Sequence, residues 1–247
     1  MDGEQETGFH GNHKDRFSTV FIASLVAALA PLNFGYALGY TSPIQTVLED
    51  TTQKFHVTDE QFSWFGSLVA IGAILGSILG GWMIDHFGRK VTLMLTGIPY
   101  TIGWLLVSYA SSVHMLYIGR IFVGVAVGIS SLTTPTYISE ISSARLRGGL
   151  GSINQLAVVT GILLAYVIGA RVGWRWAAIM AVGLVATLVL LMAFMPETPR
   201  WLLANNQRHR AIKELEWLRG PLYDVEEECF EIESNLDQQQ TIQVKCK

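Results

Sequence analysis

Six runs of about 20 apolar residues, split by short polar segments, constrain this chain more than any other feature. They are Ser18–Tyr40, Phe62–Ile84, Val91–Tyr109, Val113–Ser139, Leu150–Ala170 and Trp174–Met195. A run of this length covers the hydrocarbon core of a bilayer as a helix. One such run could be a buried core helix, but six in succession with almost no charge read as membrane spans. Composition agrees: charged residues make up 15% of the 247, against roughly 25% in soluble domains. A net charge of -3 leaves no basic footprint, so nucleic acid is excluded as a partner. The first run follows an acidic leader (Asp2, Glu4, Glu6, Asp15). A secretory signal would begin basic and be shorter, so this run is a span.

Lys and Arg set the orientation. With the N-terminus in the cytosol, only Lys54, Arg171 and Arg175 of the 17 basic residues fall in outer loops, and Arg120 lies within a span. The bias places both termini in the cytosol. The domain plan is then a leader over 1–17, a six-span bundle over 18–195, amphipathic cytoplasmic helices over 196–237 and a disordered tail over 238–247. The amphipathic reading rests on Trp201–Leu203, Ile212, Leu215, Trp217 and Leu218, which recur at helical spacing among charges. Cys229 and Cys246 sit in this polar region as free thiols, with no metal-ligand spacing around them. No metal or cofactor is expected.

Gly72, Gly76 and Gly80 recur every fourth residue in the second run, and Gly124 and Gly128 in the fourth. Such faces let helix backbones approach closely in lipid. Ionisable groups are scarce inside the runs: Arg120, and Glu140 at a cytoplasmic end. No mid-span carboxylate suggests a proton pump. No arginine ladder suggests a voltage sensor, and no catalytic constellation suggests an enzyme.

Charges cluster instead at the cytoplasmic rim. Asp85, His86, Gly88, Arg89 and Lys90 join the second and third runs. Glu140, Arg145, Arg147 and Gly148 follow the fourth, and Pro196, Glu197, Pro199 and Arg200 follow the sixth. Topology alone explains the basic residues but not the carboxylates among them. Carboxylate–guanidinium pairs at one face would form a latch that can break and re-form. Gly88 and Gly148 fit tight turns between spans.

These clusters resemble the motifs of the sugar porter family of the major facilitator superfamily. Asp85-His86-Phe87-Gly88-Arg89-Lys90 is similar to the superfamily's Asp-Arg-x-Gly-Arg-Arg signature. Gly124, Gly128, Tyr137, Glu140 and Arg147 follow the family's fourth-span pattern, and Pro196-Glu197-Thr198-Pro199-Arg200 resembles its Pro-Glu-Ser-Pro-Arg box. Asn33 to Pro43 and Ser63 to Ser67 resemble facilitative glucose transporters of the type 6 and type 8 class, and insect-type trehalose transporters share much of the pattern. The resemblance covers the amino-terminal half of such a transporter only.

It implies an all-α membrane protein: six transmembrane helices as a 3+3 inverted repeat, one half of a major facilitator fold, plus short cytoplasmic helices. It implies hexose as substrate, with Gln155, Val158, Val159, Ile162 and Phe34 at the sugar. An amide offers hydroxyl groups both donors and an acceptor, though a mid-span glutamine could equally bond another helix. Asp85, Arg89, Lys90, Arg120, Glu140, Arg147, Glu197 and Arg200 are implied as the gating salt-bridge network. His86 departs from the usual Arg and softens that arm of the latch. Ala37 stands where proton-coupled relatives carry Asp, which fits passive transport. No Asn-x-Ser/Thr sequon occurs, and the leader lacks the acidic di-leucine of an endosomal address. The resemblance implies the plasma membrane or an endolysosomal one as the home. The expected partners are the bilayer, the sugar, and a complementary six-span half or a full-length transporter. The alternative is a truncated, non-transporting isoform that modulates such a transporter.

Overall fold

The computed structural model describes residues 17–48, 57–143, 146–220 and 224–245. The leader up to Arg16, Lys54, Arg145 and Cys246 lie outside the described residues. The described chain forms α1 (Phe17–Ala27), α2 (Leu29–Gly39), α3 (Thr41–Leu48), α4 (Asp59–Phe87), α5 (Arg89–Leu95), α6 (Gly97–Ser108), α7 (Val113–Ile141), α8 (Arg147–Gly169), α9 (Trp174–Ala193), α10 (Pro199–Ala204), α11 (Arg208–Arg219) and α12 (Val225–Lys245). Six stretches are long and apolar enough to cross a membrane: Ser18–Gln45, Asp59–Phe87, Arg89–Ser108, Val113–Ile141, Arg147–Gly169 and Trp174–Ala193. They are the six runs of the sequence, with ends shifted by a few residues.

Proline explains why spans 1 and 3 divide into shorter helices. Pro31, Pro43 and Pro99 each lack an N–H, and each ring crowds the carbonyl four residues earlier. Those positions are Ala27, Gly39 and Leu95, the last residues of α1, α2 and α5. Pro135 lies inside α7, which continues through it.

Helix pairing follows a two-fold pattern. Span 2 packs along span 4 (α4 on α7), span 1 along span 5 (α2 on α8), and span 3 against span 6 (α6 on α9). Exchanging spans 1, 2 and 3 with 4, 5 and 6 turns the 2–4 pair into the 5–1 pair and leaves 3–6 unchanged. This is the pairing that an inverted repeat requires.

Glycine closes both repeat-related pairs. A Cβ at Gly72 or Gly76 would run into the carbonyls of Ile121 or Val125 on α7, and one at Gly124 or Gly128 into those of Val69 or Ala73 on α4. In the equivalent pair, a Cβ at Gly35 would strike the Val158 carbonyl, one at Gly161 the Leu32 carbonyl, and one at Gly39 would lie 2.9 Å from the Ile162 carbonyl. The exposed stripe of α4 (Ile71, Ile74, Leu75, Ile78, Leu79, Trp82) avoids this seam and offers lipid an apolar surface.

The central core joins Tyr36 and Tyr40 of α2 to Trp104 of α6 in edge-on contacts of 5.8 and 4.9 Å. Each tyrosine also donates to span 6, Tyr36 to the Ala177 carbonyl (2.8 Å) and Tyr40 to the Trp174 carbonyl (2.6 Å). Buried hydroxyls are thereby paired.

Two expectations need correction. Gly148 is not a turn glycine: it lies in the first turn of α8, and the positive-φ glycines among the described residues are Gly88 (φ 87°) and Gly220 (φ 98°). The tail is helical further than expected, since α12 continues to Lys245. Glu226, Glu227 and Glu228 in its first turn complement the helix dipole, and the Gln238–Gln240 run propagates helix readily.

Candidate functional site: an open span face and an ionic cluster at the rim

Span 5 contributes the open face. Gln155 is exposed, and its amide makes no hydrogen bond among the described residues. Val159, one turn on, is 53% exposed. The option that Gln155 bonds a neighbouring helix of this chain is therefore not realised. Val158 is different: it is 8% exposed, and its main chain carries the Gly35 contact. The 3.6-residue repeat turns Val158 toward span 1 while Gln155 and Val159 share the free stripe. Ile162 is half-buried, with its main chain against Gly39, and Phe34 is half-buried beside the central core. Of the expected sugar-facing set, Val158 thus occupies a packing position instead.

The rim that carries the charged clusters brings three loops together. Arg89 donates from Nη2 to Glu140 Oε1 at 2.9 Å, with side-chain exposures of 13% and 7%. Glu140 ends α7, where the dipole disfavours a carboxylate, and the guanidinium offsets this. Glu197 binds no side chain among the described residues. Its Oε1 accepts the main-chain N–H of Arg89 (3.0 Å), Lys90 (3.1 Å) and Thr198 (2.9 Å), so it caps the otherwise unsatisfied first turn of α5. Burial pushes the Glu197 carboxyl above the usual carboxylate range, against these N–H donors and the Arg89 charge, which pull it down. Gly88 permits the arrangement twice over. Its φ of 87° suits glycine, and a Cβ there would lie 2.5 Å from Glu197 Oε2.

Neighbouring bonds complete the rim. Lys90 Nζ donates to the Ala193 carbonyl at the end of span 6 (2.8 Å). Trp201 Nε1 donates to the Asp85 carbonyl (3.0 Å), and Tyr137 Oη to the Pro196 carbonyl (2.9 Å).

Not every expected member joins. The Asp85 side chain is exposed and forms no ion pair among the described residues, and the same holds for Arg147. Arg200 is exposed and lines a cleft under the rim. Arg120 is a clear correction. It lies 20 residues before Glu140 on one helix, about 30 Å away at ~1.5 Å per residue. It is 1% exposed, stacks on Phe65 at 4.5 Å and donates to the Phe65 and Ala37 carbonyls at 3.2 Å and to the Thr41 hydroxyl. It ties spans 1, 2 and 4 together at the opposite end from the rim. All these partners are neutral.

Sequence reasoning missed a buried charged pair. Arg219, 5% exposed, donates from Nε and Nη2 to both oxygens of Glu228 (3.1 and 2.8 Å) and from Nη1 to the Ile141 carbonyl (3.2 Å). It closes the C-terminus of α7 and fixes α11 and α12 beneath the bundle. Arg219 stands just before Gly220-Pro221, and a basic residue in a helix's last turn was the available signal. Leu202, Leu203, Ala211, Leu215, Val225 and Cys229 form the small core of that helical unit.

Comparison with known proteins follows this architecture. The family described as Sugar (and other) transporter matches residues 23–247. The chain is 44% identical over 211 residues to facilitated glucose transporter member 8 of Bos taurus, covering 85% of this chain and 44% of that protein. It is 37% identical over 228 residues to the facilitated trehalose transporter Tret1 of Bombyx mori, covering 92% and 45%. The structure superposes on the proton:xylose symporter XylE bound to 6-bromo-6-deoxy-D-glucose with a TM-score of 0.80 at 26% identity, covering 91% of this chain and 54% of that one. The inward-open XylE of E. coli gives 0.78 at 27% identity. The chain spans less than half the length of the curated relatives it matches. A match that includes all six spans and the helices beneath them places this chain in the sugar transporter family of the major facilitator superfamily.

Proposed function

We propose that this chain forms one half of a facilitative hexose transporter working by alternating access. The observation that carries the reading is the amide of Gln155, exposed on the free stripe of span 5 with no partner among the described residues. Such an amide can donate to and accept from sugar hydroxyls. The relatives' names, glucose and trehalose transporters, agree with a sugar substrate. Passive transport is favoured over symport by the surroundings of Arg120, whose observed hydrogen-bond partners are a hydroxyl and two carbonyls. Arg89, Glu140 and Glu197 form the cytosolic latch, and both termini lie on that side. The bias of Lys and Arg supports this orientation.

The chain completes its site against a complementary six-span half or a full-length transporter. Reconstituted vesicles test this. Labelled glucose uptake is expected with the complementary half present and not with the chain alone. Gln155→Leu should abolish that uptake while leaving assembly intact. Uptake that survives Gln155→Leu unchanged would refute the role given to the amide.

A further inference from the structure

We infer that the cleft under spans 4 and 5 is a second sugar subsite on the cytosolic side, walled by α12. This inference rests on the transport reading above and adds a place where sugar pauses outside the span 5 face. The cleft holds about 530 Å3, within the ~300–1,000 Å3 of small-ligand sites. Glu140 and Ser143 line it from the end of span 4, Arg147 from the start of span 5, and Glu231 and Asn235 from α12.

Three features select the ligand. First, the described lining carries arginines 147, 200 and 219 against glutamates 140, 228 and 231, a balanced set that favours neither an anion nor a cation. A neutral ligand that both donates and accepts suits it. Second, two lining residues each carry a buried polar atom with no hydrogen-bond partner among the described residues: Glu140 Oε2 and Ser143 Oγ. An unsatisfied buried carboxylate oxygen is costly, and a sugar hydroxyl is a donor for it. Third, Ile232 and Leu236 sit one helical turn apart on α12 in the same lining, a patch for the C–H face of a pyranose. The Arg219–Glu228 pair holds this wall against the bundle.

The full chain assembled with its complementary half in lipid nanodiscs tests this, with D-glucose as probe and two readouts. One is carbodiimide labelling of Glu231, which is exposed. The other is maleimide labelling of a cysteine placed at Val159. Glucose at twice its dissociation constant should slow Glu231 labelling roughly threefold. Gln155→Leu should leave that protection in place, and Asn235→Ala, at an exposed position, should weaken it.

Protection at position 159 without protection of Glu231 overturns the subsite and leaves the transport reading standing. Protection of Glu231 that disappears in Gln155→Leu also overturns it, because the effect is then relayed from span 5. Stronger protection by inorganic phosphate than by glucose reassigns the cleft to anions. Protection at neither position overturns both readings.

Discussion

Glu197 reaches from the end of span 6 to the main-chain N–H of Arg89, 3.0 Å away, and not to its guanidinium. The box that resembles half of a salt bridge therefore works first as a helix cap. Glu197→Ala should strand the first N–H groups of α5 and cost about 1–3 kcal/mol. Glu197→Gln keeps a carbonyl acceptor and should lose less than half as much. Thermal unfolding in detergent separates the two, and equal losses would assign the effect to charge.

The same carboxyl predicts a pH dependence. Burial raises its pKa above the usual carboxylate value. The folded state then holds the proton more tightly than the unfolded chain. Its contribution to stability is fully present below the ordinary value and is lost as pH rises to the raised one. The wild-type minus Glu197→Gln difference in unfolding midpoint should shrink over that window. A difference that stays flat there would show that another group governs the rim.

Glycines divide into two kinds. Gly35→Ala and Gly76→Ala put a Cβ into a facing carbonyl and should push spans 1 and 5, or 2 and 4, apart. Gly149→Ala meets nothing within 4 Å and lies in α8. It should stabilise by about 0.5–1 kcal/mol through helix propensity. Yields of monodisperse protein across the three variants would show the contrast, and equal behaviour would contradict the zipper.

Arg120→Lys removes a planar fork that serves three acceptors on spans 1 and 2. Leaving buried carbonyls unpaired should cost on the order of 2 kcal/mol. The Arg89–Glu140 pair is about 30 Å away by helix rise, so cross-linking between cysteines at the rim should not change. A changed rim would show coupling along α7.

Arg219→Ala should release α11 and α12 from the bundle without unfolding the spans. Burial holds the Cys229 thiol above its usual pKa, and it is 0% exposed. With Cys246→Ser in the background, the wild-type pair should resist maleimide and Arg219→Ala should react readily. Slow reaction in both would mean that the small core around Leu215 holds without Arg219.

The six spans were legible in the sequence because lipid demands long apolar runs, and no tertiary contact is needed to read them. The glycine seam between spans 2 and 4 was legible for the same reason. Gly35 and Gly161 were not, since their spacing makes sense only once spans 1 and 5 are paired. Arg89, Glu140 and Glu197 were found through motif order, but Glu197's partner was a backbone amide, which no charge pattern reveals. Arg120 was listed with the gating network because charge scarcity marks a residue without giving its partners. Val158 was misplaced because a difference of one residue, about 100° around the helix, separates a free face from a packed one.

Seams in which main-chain carbonyls sit in glycine notches leave little freedom to slip lengthwise. Spans 2 and 4 therefore behave as one stiff beam, fastened near one end by Arg120 and at the other by Glu140.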